Sequence, residues 1–139
     1  MKNKNIFSLM ILITISLLFA ACSKDDPTSP PTSTAPMAKF SDIKAKVFTN
    51  CIGAQCHSTA GNQNGLILES NVAYGELVGV LSTTEPTLMR VEAGNSANSV
   101  LIKILKGEIT PRMPKDGNPL PAATIDSIAK WIDNGALNN

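Results

Sequence analysis

The stretch whose residue types can do chemistry is Cys51-Ile52-Gly53-Ala54-Gln55-Cys56-His57. The chain has three cysteines and one histidine among 139 residues, and the histidine stands directly behind a cysteine. Random placement would give that adjacency about once in fifty sequences, which singles the segment out. A histidine directly after the second of two close cysteines is how a c-type haem is attached. Each thiol adds across a vinyl group of the porphyrin, and the imidazole reaches the iron from the face the peptide covers. The usual spacing is C-x-x-C-H, whereas here Ile52 to Gln55 separate the cysteines. Five positions on a regular helix turn through about 140°, which takes the two sulfurs off a common face. The segment is therefore expected to bulge, with Gly53 as the residue that permits it.

An iron held by one histidine needs a sixth ligand or keeps an open position. No second histidine exists, and beyond the N-terminal leader the thioethers are Met37, Met89 and Met113. Met113 lies in Pro111-Arg112-Met113-Pro114, where the flanking prolines stiffen the backbone. A loop methionine presented this way suits a soft, neutral ligand, and histidine with methionine raises the reduction potential towards that of an electron carrier. Met89 is the second candidate, beside an extended apolar segment, and Met37 belongs to the linker end. The competing reading of Met113 is a gap-filling core residue. Arg112, Lys115 and Arg90 can neutralise haem propionates, against the ordinary reading of solvated surface cations.

Other readings of the same residues stay open. Cys51 and Cys56 can form a disulfide in an exported, haem-free interaction module, although so short a loop would stabilise little. Cys51, Cys56 and His57 can also bind zinc, but a fourth ligand is not evident. A haem with an open sixth position would give a peroxidase-like or sensor site. No general base, nucleophile or substrate cleft is visible, so the residues point to a carrier more than to an enzyme.

The elements that must position these residues follow from composition and period. Met1 to Ala21 reads as a bacterial-type secretory signal, with Lys2 and Lys4 before an apolar run from Ile6 to Leu18 that is short for a membrane span. Phe19-Ala20-Ala21-Cys22 resembles a lipoprotein cleavage box, with Cys22 as the lipidated residue. Ser23-Lys24-Asp25-Asp26 is similar to the acidic sequence after the lipidated cysteine in some surface-exported lipoproteins. Residues 22–36, rich in proline, serine and threonine, read as a tether. Without Lys2 and Lys4 the chain has ten basic against eleven acidic side chains, which gives no electrostatic footprint for nucleic acid.

The folded domain is expected over residues 37–139. Phe40, Ile43, Val47 and Phe48 define a first helix, capped by Ser41 or Asp42 and leading into the cysteine segment. Ser70 or Asn71 caps a second, with Ala73, Leu77, Val80 and Leu81 on one face and Tyr74 in the core. Met89-Arg90-Val91 is extended. Asn98 or Ser99 caps a third helix that turns Val100, Leu101, Ile104 and Leu105 inward and stops at Gly107. A proline-punctuated loop follows from Ile109 to Pro121. The last helix starts at Ala123 or Thr124, buries Ile125, Ile128, Ala129 and Ile132, and ends at Gly135, with Trp131 against the core or walling a haem pocket. The fold class is all-α, with about four short helices.

Taken in order, Cys56-His57, Gly65-Leu66, Tyr74, Ala93-Gly94, Asn98-Ser99-Val100-Leu101, Met113-Pro114 and Trp131-Ile132-Asp133-Asn134-Gly135-Ala136 carry a resemblance. The chain resembles the small c-type cytochrome domains of the planctomycete type over roughly Phe40 to Ala136. The resemblance implies a cytochrome c-like bundle around a haem pocket, with one haem c on Cys51 and Cys56 and with His57 and Met113 as axial ligands. It also implies one-electron transfer to redox partner proteins of the envelope, and the lipid expected on Cys22 from the cleavage box would hold the domain to the membrane, periplasmic or surface-facing. Two features depart from the family pattern: the four-residue gap between the cysteines, which leaves a single thioether through Cys56 open, and Ala93 where proline is commoner.

Overall fold

In the computed structural model the described residues are 38–139; the expected leader, Cys22, the tether and Met37 lie outside them. Phe40 and Ile43 recur at helical spacing and are buried, which forms helix α1 (Phe40–Lys46). The cap differs from the expectation. Ser41 and Asp42 lie inside the helix, and the cap position is Lys39, which makes no side-chain capping bond. The free N–H groups of the first turn are met from the far end of the chain. Phe40 N donates to Asn139 Oδ1 (2.9 Å) and Ser41 N to the Asn139 carbonyl (2.9 Å). After Val47, a single 3-10 turn (Phe48–Asn50) delivers the chain to Cys51.

Helix α2 (Ala73–Leu77) is shorter than its apolar pattern suggests. Ala73 and Leu77 are buried as expected, but Leu81 is 58% exposed and Ser70 and Asn71 do not cap. The cause is tertiary. Val78 turns extended and Gly79 takes φ 74°, so that Val78 bridges Val91 and Leu81 bridges Met89. Backbone groups that would have continued the helix pair with the extended 88–91 segment instead.

That segment also starts helix α3 (Val100–Lys106): Val100 N donates to Met89 O and Leu101 N to Arg90 O, both at 3.0 Å. Ser99 occupies the cap position, but its hydroxyl accepts from Glu92 N (2.9 Å) and donates to Asn95 O (2.9 Å). Gly107, at φ 80°, ends the helix as its sequence predicts. The inward residues differ: Val100, Ile102 and Leu105 are buried, whereas Leu101 and Ile104 are half-buried. α3 is apolar nearly all round, and the core takes only part of it.

Helix α4 (Ala122–Asp133) begins one residue earlier than expected and buries Ile125, Ile128, Trp131 and Ile132, with Ala129 half-buried. Its Trp131 stacks on Phe40 at 5.1 Å, and Phe40 meets Tyr74 (5.3 Å) and Phe48 (6.2 Å) edge-on. These contacts bind α1, α2 and α4 into one core, each pair adding about 0.5–1.5 kcal/mol beyond area burial. Trp131 Nε1 donates to Leu137 O (2.8 Å) and Tyr74 OH to Ala136 O (3.0 Å), so both polar tips are satisfied. Trp131 is thus a core residue. Among the described residues there are four α-helices, three 3-10 turns and two isolated bridges, and no helix is long and apolar enough to cross a membrane.

Candidate haem-attachment site

Cys51, Cys56 and His57 come together on one curled segment rather than a helix. Cys51 N donates to Phe48 O (2.8 Å), Cys56 N to Gly53 O (2.8 Å) and His57 N to Cys51 O (3.0 Å). These bonds close the C-x4-C-H loop on itself. Gly53 lies outside the left-handed region, so permissive φ is not its contribution; its carbonyl gathers Cys56 N–H and the Ser58 hydroxyl (3.1 Å). The glycine the loop depends on is Gly61. A Cβ there would collide with Cys56 O and fall 2.7 Å from Cys56 N, so no side chain fits without moving the cysteine.

Both thiols are free. Cys51 is half-buried and directs its sulfur to Val47 O (3.5 Å), while Cys56 is exposed. Burial, and secondly the neighbouring Cys56, push the Cys51 thiol above its ordinary value. Of the two sulfurs, Cys56 is the accessible one.

His57 is half-buried, and its Nδ1 lies 3.2 Å from Leu66 O. A carbonyl can only accept, so the bond requires the proton on Nδ1 and leaves the Nε2 lone pair available. Metal-bound histidines use the other ring nitrogen in this way. The His57 carbonyl accepts from Leu68 N (2.7 Å), which fixes the backbone of the same residue. Two residues on, Thr59 donates its N–H and hydroxyl to Glu69, each at 2.8 Å. Those two bonds, the backbone one first, hold the Glu69 carboxyl below its ordinary value.

Met113 is half-buried against the core, with its N–H on Ile104 O (3.1 Å). The Thr110–Pro111 and Met113–Pro114 peptide bonds on either side are cis. Met113 and His57 are not joined by a hydrogen bond. They are linked indirectly: the 64–66 segment that holds His57 is bonded to Arg90, Arg90 O receives Leu101 N of α3, and α3 carries Met113 through Ile104 O. Met89, the second candidate ligand, is 38% exposed on the bridged segment.

Of the cations expected near propionates, Arg90 is already committed. Its Nη1 donates to Glu76 O (2.8 Å) and Oε2 (3.0 Å), and its Nη2 to Gly65 O (2.9 Å) and Asn64 O (3.2 Å). Arg112 is different. Nη2 donates to Gly117 O (2.9 Å), but Nη1 is buried without a partner. A buried guanidinium nitrogen left unpaired is costly, and an anionic acceptor would relieve it. Lys115 is exposed.

A cleft of about 350 Å³ opens beside the cysteine segment, walled by Lys44, Ile52, Leu68 and Glu69 among others; neither His57 nor Met113 lines it. Among the described residues, no group of three or more His, Cys, Asp or Glu side chains is arranged to hold a metal ion. Sequence reasoning overlooked Gly61, the Leu66 carbonyl and the Arg90 bonds. The Gly65-Leu66 pair was marked by the family resemblance alone. No family model, curated protein or solved structure matches the chain.

Proposed function

We propose that the chain is a monohaem c-type cytochrome that carries single electrons at the cell envelope, tethered through lipid on Cys22. Cys51 and Cys56 would attach the haem, and His57 and Met113 would be its axial ligands. The observation that carries the reading is the histidine directly behind Cys56, its Nδ1–H engaged by Leu66 O and its Nε2 left free to bind iron. Two further features fit the group. The Arg112 Nη1 next to Met113 lacks an acceptor, and haem propionates supply acceptors. Leu66, Leu101, Ile104 and Met113 are apolar and each only half-buried.

When bound, the haem would supply an iron that alternates between ferric and ferrous states. The work of the chain's own residues is separate. His57 presents a lone pair from an imidazole whose tautomer is fixed. Met113 offers a neutral thioether, which favours the ferrous state. The half-covered leucines and isoleucine offer apolar area that a bound porphyrin would take from water. The accessible Cys56 and half-buried Cys51 differ in readiness to react, which favours Cys56 as the first attachment point.

The test is to express the full chain in a host with cytochrome-maturation machinery and record a haem stain after denaturation, then a pyridine haemochrome spectrum. A stain that survives denaturation is expected, and the spectrum then reports whether one vinyl group or two have been consumed. A colourless product sinks the reading and leaves the haem-free lipoprotein module, whose Cys51–Cys56 disulfide would appear as thiols titratable only after reduction. A coloured product lacking methionine-ligand absorption in the oxidised state would favour the open sixth position. Loss of membrane partition in Cys22→Ala checks the anchor.

A further inference from the structure

Leu66 O can set the tautomer of His57 only if it is itself held still, and the turn's own backbone bonds, Gly65 N to Asn62 O (3.2 Å) and Leu66 N to Gln63 O (3.1 Å), hold it only in part. Asn62, Asn64 and Gly65 sit at φ 40°, 55° and 65°, three left-handed residues within four positions. For Asn62 and Asn64 that region is costly unless surrounding bonds keep them there, whereas Gly65 adopts it freely. Two groups outside the turn add such bonds. The Thr83 hydroxyl donates to Asn64 O (2.9 Å), but Thr83 is exposed and reaches one carbonyl only. Arg90 is buried, and its Nη2 reaches both Asn64 O and Gly65 O, the two carbonyls immediately before that of Leu66. Its Nη1 is anchored by Glu76 through a carbonyl and a carboxylate oxygen. Both hydrogens on each terminal nitrogen are therefore used, and the planar fork spans from α2 to the turn. The Arg90 carbonyl also receives Leu101 N, so the same residue ties the turn to α3.

We propose that Arg90 is a positioning residue for His57: its guanidinium locks the 64–65 turn so that the Leu66 carbonyl keeps the imidazole proton on Nδ1 and Nε2 free. This rests on the haem reading for its functional meaning, but the geometric part holds with or without haem. A lysine at position 90 keeps the charge and loses the fork, because a single ammonium cannot serve Glu76 and the turn together. The neutral histidine side chain in water prefers its proton on Nε2, so release of Leu66 O lets the tautomer drift.

The experiment uses the full chain with ¹⁵N-labelled histidine, where the single histidine gives one unambiguous ring signal, recorded in the reduced state. Solvent exchange of the Nδ1 proton is expected to be about tenfold faster in Arg90→Lys than in the parent chain. In haem-loaded protein the midpoint potential should rise, because a weaker Nδ1–H bond makes the imidazole a poorer donor. Ile102→Val, a core truncation away from the turn, is the control and should leave Nδ1 exchange unchanged. Where Arg90→Lys does not accumulate, Glu76→Gln carries the test, with exchange about threefold faster through a loosened anchor. Unchanged exchange in the variant tested overturns the proposal, and so does equal acceleration in Ile102→Val. Failure of the haem reading registers separately, as absent haem absorption, and leaves the exchange measurement standing.

Discussion

His57 and Met113 are secured in contrasting ways. His57 is fixed at three points, through its N–H to Cys51 O, its carbonyl to Leu68 N and its ring to Leu66 O. Met113 has one backbone bond, to Ile104 O, and partial apolar cover. The difference teaches that hydrogen bonds fix the imidazole side, whereas the thioether side is held by its flanking prolines, one backbone bond and partial packing. On the proposed reading, geometry fixed in advance would suit the residue that meets the cofactor during attachment.

Four substitutions break or sharpen this contrast, in descending order of expected effect. His57→Ala removes the imidazole side. Yield of haem-loaded protein, read by absorbance per unit protein, should fall beyond the roughly 10–100-fold that supporting residues cost. Met113→Ala touches only the thioether side. Covalent haem should be retained while the methionine-ligand absorption disappears and the potential drops; comparable haem loss in both variants would abolish the contrast. Gly61→Ala pushes on the cysteine backbone without altering a ligand. Urea unfolding should show a loss of about 1–3 kcal/mol from overpacking, with Cys56 displaced. Glu69 gives the smallest effect. Its carboxyl is held below the ordinary 4.5 by Thr59, so its contribution is complete above that value and disappears as pH falls through the lowered folded value. Glu69→Gln should remove that acid slope in a stability–pH profile and lower neutral-pH stability by the same small amount, small because the pair is exposed.

The sequence makes some of this arrangement readable and hides the rest for physical reasons. Ile125, Ile128 and Ile132 repeat at helical period, and α4 buries them; Phe40, Ile43 and Val47 behave likewise. Gly107 and Gly135 end their helices at positive φ, as their placement predicts. Period failed where apolar residues exceed one face. In α3 every position but the two lysines is apolar, so spacing could not distinguish buried Ile102 from half-buried Leu101 and Ile104. It failed again after Leu77, where pairing with Val91 and Met89 overrides a continued helix. The cysteine–histidine motif was legible because side-chain identity carries it. The acceptor for His57 Nδ1 was not, because every residue has a carbonyl and only the folded chain shows that it is the one at Leu66. Arg90 misled for a related reason: a cation near a loop reads as surface, yet this one is buried among four acceptor contacts.

Asn139 capping the first turn of α1 has a practical corollary for anyone who wishes to mount or rewire the domain. Cargo fused upstream of Ala38 and cargo fused downstream of Asn139 would leave from neighbouring points, so either fusion pivots about the same corner. The two ends can also be ligated through a short peptide and the ring reopened at the exposed stretch from Lys115 to Pro119, which yields a circular permutant. Met113 would then ride close to a loose terminus while His57 stays embedded in continuous chain.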